Sequence, residues 1–422
     1  MLRKINRVFF ALYIISLMYI PEFMMSLMFK EKQPPISEVI LVCAWLFFGL
    51  QFLISREKRK YLINLFKNKL FLVLNLLFIS IIILMIISKR YAPEQKLWLQ
   101  ETIRFISVYF LIIYCSLEYT TEKISKIIIK GIFFSCVFVT LLGFYQFATG
   151  KCIPPQFVGS HTFGVMVRVT SIFSNPNSYA AFIVILIFPI FMVTMYEKNN
   201  RKKILYSIIL LLLIVNLFMT FSRSSWLGLV LGLVVLSILW NKKLIYAIGA
   251  LAVLTVSITP MRNRFLELFS KSFNDDRIKI WKTYIHMIKD NFWFGVGNGN
   301  GVSKYDYYIA KYPELNYNSY TRYPSHNSYL KIFSELGVFG LVLFVLLIII
   351  MLIIINKYYR TTQNYFMKSV YLGIFASIIS ICFMNLNDNL FFVPKMISIL
   401  WILIGIGIGN YFGDKQGSLN KS

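Results

Sequence analysis

Charge is scarce in this sequence, and the little there is leans one way. Only 15% of its 422 residues are Asp, Glu, Lys or Arg while 58% are hydrophobic, so a soluble fold of this length would leave far more apolar surface than it could cover. Acids are the rarer sign, 18 against 44 basic residues, giving a net charge of +26. Histidine occurs three times and cysteine five times. Cys43, Cys115, Cys136 and Cys382 lie within apolar runs, and no spacing suits a disulfide framework or a zinc site. There is no Gly-x-x-x-x-Gly-Lys phosphate loop, no Gly-x-Gly-x-x-Gly and no His-Glu-x-x-His. Asp-x-Asp is missing too, which disfavours an enzyme that grips a sugar nucleotide's diphosphate through a metal.

What fills the sequence instead is long apolar runs. Stretches such as Leu70 to Ser88, Ile204 to Phe221 and Gly337 to Ile355 are long enough, at about 1.5 Å per helical residue, to cross a hydrocarbon core of roughly 30 Å. They lack the alternation of a membrane strand. The pattern predicts twelve spanning helices, at 6–28, 36–54, 69–88, 97–117, 126–147, 176–196, 203–221, 224–240, 244–260, 328–355, 366–385 and 390–411. The fold class is therefore an all-α polytopic membrane bundle with one long outward loop carrying a short amphipathic helix. Three regions are expected: helices one to nine over 1–260, the large loop over 261–327, and helices ten to twelve with a short tail over 328–422.

Basic residues orient this bundle. The connections near 55–68, 118–130, 197–203, 241–243 and 356–368 and the two ends are rich in Lys and Arg, whereas the short connections on the other side hold Lys30, Lys32, Lys89, Arg90, Lys96, Lys151, Arg168 and Arg223. Basic short loops stay inside, so both termini are expected in the cytoplasm and the 261–327 loop outside. Most of the positive charge then meets anionic headgroups rather than nucleic acid. The basic start Met1-Leu2-Arg3-Lys4 has no small-residue cleavage site before Pro21-Glu22, and reads as a retained first helix. No internal repeat with matching broken spans is present, which speaks against a secondary transporter.

The one long polar stretch, Met261 to Asn327, interrupts this pattern. Asp275 and Asp276 suit the N-cap and first turn of a helix reaching about Asp290. Its residues Ile278, Trp281, Ile285 and Ile288 recur at helical spacing, with Lys279, Lys282, His286 and Lys289 on another face. Such a helix would lie on the outer leaflet or cap the bundle. Phe292-Trp293-Phe294 forms an interfacial aromatic cluster, and glycines at 295, 297, 299 and 301 make a turn-rich segment.

Several polar residues on the outer face have side chains suited to chemistry. Arg223 occupies a tight connection between two apolar spans, where it is either a snorkelling residue or an anion clamp. Arg277 either pairs locally with the neighbouring aspartates or, with Arg223, holds a diphosphate. His326 falls where the loop enters the tenth helix, with Ser325 or Asn327 as N-cap. Positive potential from the helix end and the arginines suits an imidazole acting as general base or hydrogen-bond acceptor. His161 and His286 read as solvated. Asn175 with Pro176 suits the start of the sixth helix, leaving Arg168 and Asn177 as further outward groups. Glu101 and Arg104, three apart near the outer end of the fourth helix, would share a face and can satisfy one another.

In order, Arg168 with Phe173-Ser174-Asn175-Pro176-Asn177, Phe221-Ser222-Arg223-Ser224, Asp276-Arg277-Ile278-Lys279-Ile280-Trp281, Phe294-Gly295-Val296-Gly297-Asn298-Gly299, and His326-Asn327-Ser328-Tyr329-Leu330 with Glu335-Leu336-Gly337 resemble the O-antigen ligase and polymerase superfamily. The resemblance covers about 168–340. It implies a membrane-embedded, inverting, metal-independent glycosyltransferase of the GT-C type with no cofactor. Such an enzyme takes a glycan from undecaprenyl diphosphate at the outer face of the cytoplasmic membrane and transfers it to a glycan, lipid-core or other hydroxyl acceptor. On the resemblance, His326, Arg223 and Arg277 match catalytic positions, and Arg168, Asn177 and Asn327 substrate-binding ones. Ligase action is the first expectation and repeat-unit polymerisation the second. A lipid-glycan flippase is a third, disfavoured because the basic groups gather at one face rather than at the bilayer midplane.

Overall fold

The computed structural model describes residues 2–22, 36–159, 167–266, 271–316 and 320–419. It is all-helical: the β pairing among the described residues is one isolated bridge, Val158 to Val167. In chain order the helices are α1 (Leu2–Tyr19), α2 (Ile36–Ile54), α3 (Arg56–Phe66), α4 (Lys69–Ser88), α5 (Gln95–Glu118), α6 (Glu122–Thr149), α7 (Pro176–Tyr196) and α8 (Asn200–Met219). They continue with α9 (Arg223–Leu239), α10 (Leu244–Ser257), α11 (Thr259–Leu266), α12 (Lys271–Asp290), α13 (Gly301–Lys311), α14 (Ser328–Thr361), α15 (Tyr365–Met384) and α16 (Pro394–Leu419).

Each of the twelve expected spans corresponds to one of these helices. Among the described residues, nine are long and apolar enough to cross a membrane, while α9 and the apolar part of α10 are shorter. The chain is a multi-pass membrane protein. The first span ends sooner than expected, at Tyr19, because Pro21 has no amide proton and its ring clashes with the preceding turn. Residues 23–28 of that expected span and His161 lie outside the described residues.

Where each helix lies follows from how apolar it is on all sides. The helices α7 and α16 carry almost no polar residues in their middle and are nearly wholly enclosed, as expected of helices that are hydrophobic all round. Around them, α15 packs on α7 and α9, α16 on α5, and α14 on α4 and α15. The 55–68 connection is not a plain loop but the amphipathic helix α3, whose N-cap Ser55 accepts a hydrogen bond from the Lys58 amide.

The large polar stretch is mostly helical, with α11, α12 and α13 before the chain enters α14. Within the described residues α12 already runs from Lys271, four residues before the aspartate cap that the pattern suggested. Its enclosed side is also different: Ile280, Thr283, Tyr284, Met287 and Ile288 are buried, whereas Ile278 and Ile285 are exposed. The sequence held two apolar stripes, and the one with Tyr284 packs against Tyr305 and Tyr308 of α13 in a small separate core. His286 is not simply solvated: its ring stacks on Tyr312 at 4.1 Å.

A backbone clasp fixes this loop to the bundle. The Val296 and Gly297 amides donate to the carbonyls of Ser334 and Glu335, at 2.8 and 3.0 Å, and the Val338 amide donates to Phe292. The α14 helix kinks at Gly337, with φ 68°. A side chain there would strike the Trp293 carbonyl, only 2.0 Å from the place of its Cβ. The glycine run beyond it curls its amides around a buried anion, as Gly299 and Gly301 donate to the Glu335 carboxylate at 2.9 and 3.3 Å. Lys331 closes the site at 2.6 Å. That run therefore serves an internal carboxylate.

Candidate active site

Four segments distant in sequence meet around the connection between α15 and α16, Asn385-Leu386-Asn387-Asp388-Asn389. The entrance of α14 is stitched to it: the Ser328 amide donates to the Asn385 carbonyl at 2.9 Å, and the Ser325 hydroxyl donates to the Asn389 side chain at 3.2 Å. Asn327 is the N-cap, its side-chain oxygen accepting from the Tyr329 and Leu330 amides at 2.9 and 3.0 Å. His326 precedes it with φ 46°, a left-handed conformation that a residue other than glycine adopts at some cost. That backbone brings the imidazole to Asp388, Nδ1 to Oδ1 3.5 Å.

Asp388 is the hub. Its other oxygen accepts from Asn177 Nδ2 at 2.9 Å, and the Asn389 amide donates to Oδ1 at 2.8 Å. Burial alone would raise its pKa, but the His326 contact, the Asn389 amide and Asn177 outweigh it and hold the carboxyl below the usual aspartate range. Asn177 is itself placed by the N-terminus of α7, where Asn175 caps its amide and Pro176 takes the first position, as the sequence pattern suggested. Arg168 Nη2 donates to Asn177 Oδ1 at 3.3 Å, and its Nε donates to the Thr220 carbonyl at 3.1 Å. Arg277, from α12, donates to the Asn387 carbonyl at 3.0 Å.

Arg223 opens α9 three residues beyond the carbonyl that Arg168 holds, and it is buried. The turn before it is tight, with Phe221 at φ 49°. Arg264 of α11 donates from Nε to the Phe221 carbonyl at 3.3 Å. Three arginines from separate segments thus gather at residues 220–223, and a fourth, Arg277, reaches the Asn387 side of the site. Glu101 and Arg104 satisfy one another at 2.9 Å, as their spacing suggested.

Of the residues singled out from sequence, Arg168, Asn177, Arg277, His326 and Asn327 converge on one connection or its immediate partners. Arg223 lies on the adjoining turn. Asp388 and Arg264 were missed. A signal for Asp388 existed, since three asparagines and one acid between the last two apolar runs make a polar island; Arg264 had none beyond its charge.

Comparison with known proteins now bears on this arrangement. Residues 208–345 match the O-antigen ligase family. The superfamily resemblance read from the order of the motifs is supported on that segment. The O-antigen ligase segment starts in α8 and ends in α14, so it contains Arg223, Arg264, Arg277 and His326 but not Arg168, Asn177 or Asp388. The chain is also similar to the teichuronic acid biosynthesis protein TuaE of Bacillus subtilis, 26% identical over 280 residues. That match covers 61% of this chain and 56% of the relative, so the chain spans little more than half of that protein's length.

Proposed function

We propose that this protein is a membrane glycosyltransferase of cell-surface polysaccharide biosynthesis, moving a glycan from undecaprenyl diphosphate to an acceptor hydroxyl at the outer face of the cytoplasmic membrane. The observation that carries the reading is the meeting of Arg168, Asn177, Arg277 and His326 at the Asn387–Asn389 connection, with the Asp388 carboxylate against the imidazole. The match of residues 208–345 to the O-antigen ligase family supports it independently.

The chemistry assigned to these groups is a single displacement with inversion. The acceptor oxygen forms a bond to the anomeric carbon as the bond from that carbon to the phosphate oxygen breaks, and the lipid diphosphate leaves with the electron pair. His326 takes the acceptor proton on Nε2 while Asp388 faces Nδ1 and fixes the ring. Charge that develops on the leaving diphosphate is met by guanidinium groups, with Arg223 and Arg277 as the principal clamps and Arg168 in support. In this reading no metal is needed. Asn327 acts by holding the α14 entrance, and hence His326, in place.

A second reading, repeat-unit polymerisation, uses the same groups with a lipid-linked glycan as acceptor. Similarity to a protein named for teichuronic acid biosynthesis, rather than for ligation to a lipid core, favours it. The deciding experiment is reconstituted transfer from a lipid-diphosphate glycan to candidate acceptors, with product length and chelator response read together. Stepwise lengthening identifies a polymerase and one-step capping of a lipid core a ligase. No transfer to any hydroxyl acceptor would sink the reading, and activity lost to EDTA would sink its metal-free form.

A further inference from the structure

A second charged site lies at the far end of the bundle. The α5 helix begins beside Glu94, which pairs with Arg322 of the large loop at 2.6 Å, and runs 24 residues to Glu118. At about 1.5 Å per residue, Glu118 is on the order of 36 Å from that surface. Its carboxylate is fully enclosed, and three cations surround it: Arg3 Nε at 3.6 Å, Arg7 Nε at 3.4 Å and the Lys58 ammonium in direct contact. Glu57, exposed in the first turn of α3, also acts on Arg3. Burial is the main reason that the Lys58 ammonium is pushed down to about 7, and the neighbouring Arg3 and Arg7 add to it.

The surroundings narrow what anion would supply that charge. Lys58 belongs to the amphipathic helix α3, which connects two spanning helices. Arg59 of the same helix donates to the Phe52 carbonyl at 3.2 Å and also to that of Leu53, capping the end of α2. At the end of α2 Leu53 and Ile54 are each 71% exposed, and farther along α3 Ile63 is 62% exposed. Basic groups where the spanning helix α2, ending in bare Leu53 and Ile54, passes into the amphipathic helix α3 are the features of a segment lying in the bilayer interface. At that level a phospholipid brings a phosphate and acyl chains in one molecule, whereas a free inorganic anion engages only the cations.

We infer that Arg3, Arg7 and Lys58 bind the phosphate of an anionic phospholipid headgroup, with its acyl chains against Leu53, Ile54 and Ile63. The phosphate adds negative charge beside the cations gathered at Glu118, and it ties α1 to α3 at one level of the bilayer. This site is separate from His326 and does not depend on the proposed reaction.

The test is native mass spectrometry of the full chain taken from nanodiscs of phosphatidylcholine, with and without phosphatidylglycerol. Wild-type protein should retain phosphatidylglycerol preferentially. Arg3→Gln and Arg7→Gln should each lower that retention roughly fivefold, as expected for one basic residue at an anionic surface. Glu118→Gln should raise it, because the competing carboxylate is gone; a variant that merely unfolds cannot produce that opposite sign. Equal retention of both lipids, no change in either arginine variant, or no gain in Glu118→Gln would overturn the inference. Inorganic phosphate binding to the lipid-free chain with the same dependence on Arg3 and Arg7 would overturn the assignment to a lipid headgroup.

Discussion

His326 and Asp388, 62 positions apart in the chain, face one another at 3.5 Å and join the entrance of α14 to the connection between the last two helices. The pair directs one imidazole nitrogen, Nδ1, at a carboxylate, and in the proposed reaction the other meets the acceptor.

Replacing His326 by Ala removes the proposed base and should lower transfer by about 10²–10⁴-fold. Asp388→Asn keeps the shape and the contact to Asn177 but removes the charge, and should cost roughly tenfold or more, part of what a positioned base contributes. Donor binding, measured separately, should change little in both. Full activity in Asp388→Asn would show that the carboxylate does not act through His326.

Arg223→Ala and Arg277→Ala should abolish transfer without loss of membrane insertion. Each charged hydrogen bond to a phosphate oxygen is worth about 1.5–3 kcal/mol, so donor affinity should fall as well. The Lys replacements should recover only part, since an ammonium cannot present a planar fork. Wild-type transfer by either Ala variant removes that arginine from the mechanism.

Gly299→Ala should destabilise the attachment of the large loop. The residue has φ +72° and the added methyl would lie 2.7 Å from the Leu97 carbonyl, a combination that costs on the order of 1–3 kcal/mol. Hydrogen exchange should accelerate across 292–301 before any change in the core of α7. Unchanged exchange in that segment would mean that the clasp is held elsewhere.

The Arg322 to Glu94 bridge makes one surface latch sensitive to acid. The hydrogen bond from Arg322 lowers the Glu94 pKa from its ordinary 4.5. Its contribution is therefore complete above the ordinary glutamate range and is lost as pH falls through the lowered value. Exchange at 320–323 should stay slow at neutral pH and quicken only in strongly acidic solution. Arg322→Gln should remove that pH dependence while changing global stability little, since exposed pairs contribute about 0–1 kcal/mol.

Hydropathy made the bundle legible, because a helix of about 20 apolar residues announces itself by composition alone. It could not show that α3 is helical, for a short basic amphipathic segment resembles a charged connection. Nor could it choose between the two stripes of α12: the side with Tyr284 was selected by its partners Tyr305 and Tyr308, more than fifteen residues away. The site was legible in part for the same reason. Arg223 interrupts apolar spans, and Arg277 and His326 fall in the one long polar stretch, so they stand out, whereas Asp388 is brought to Asn177 and His326 by no local pattern.

Because the carboxylate opposite His326 lies between α15 and α16, it is the last of the converging groups to leave the ribosome. Arg168, Arg223, Arg277 and His326 are all synthesised before it. A nascent chain halted after α14 would already hold its arginines and its imidazole, yet lack the anchor for the α14 entrance that Asn385, Asp388 and Asn389 provide. The contacts that fix the α14 entrance can therefore form only once the connection between α15 and α16 has been made.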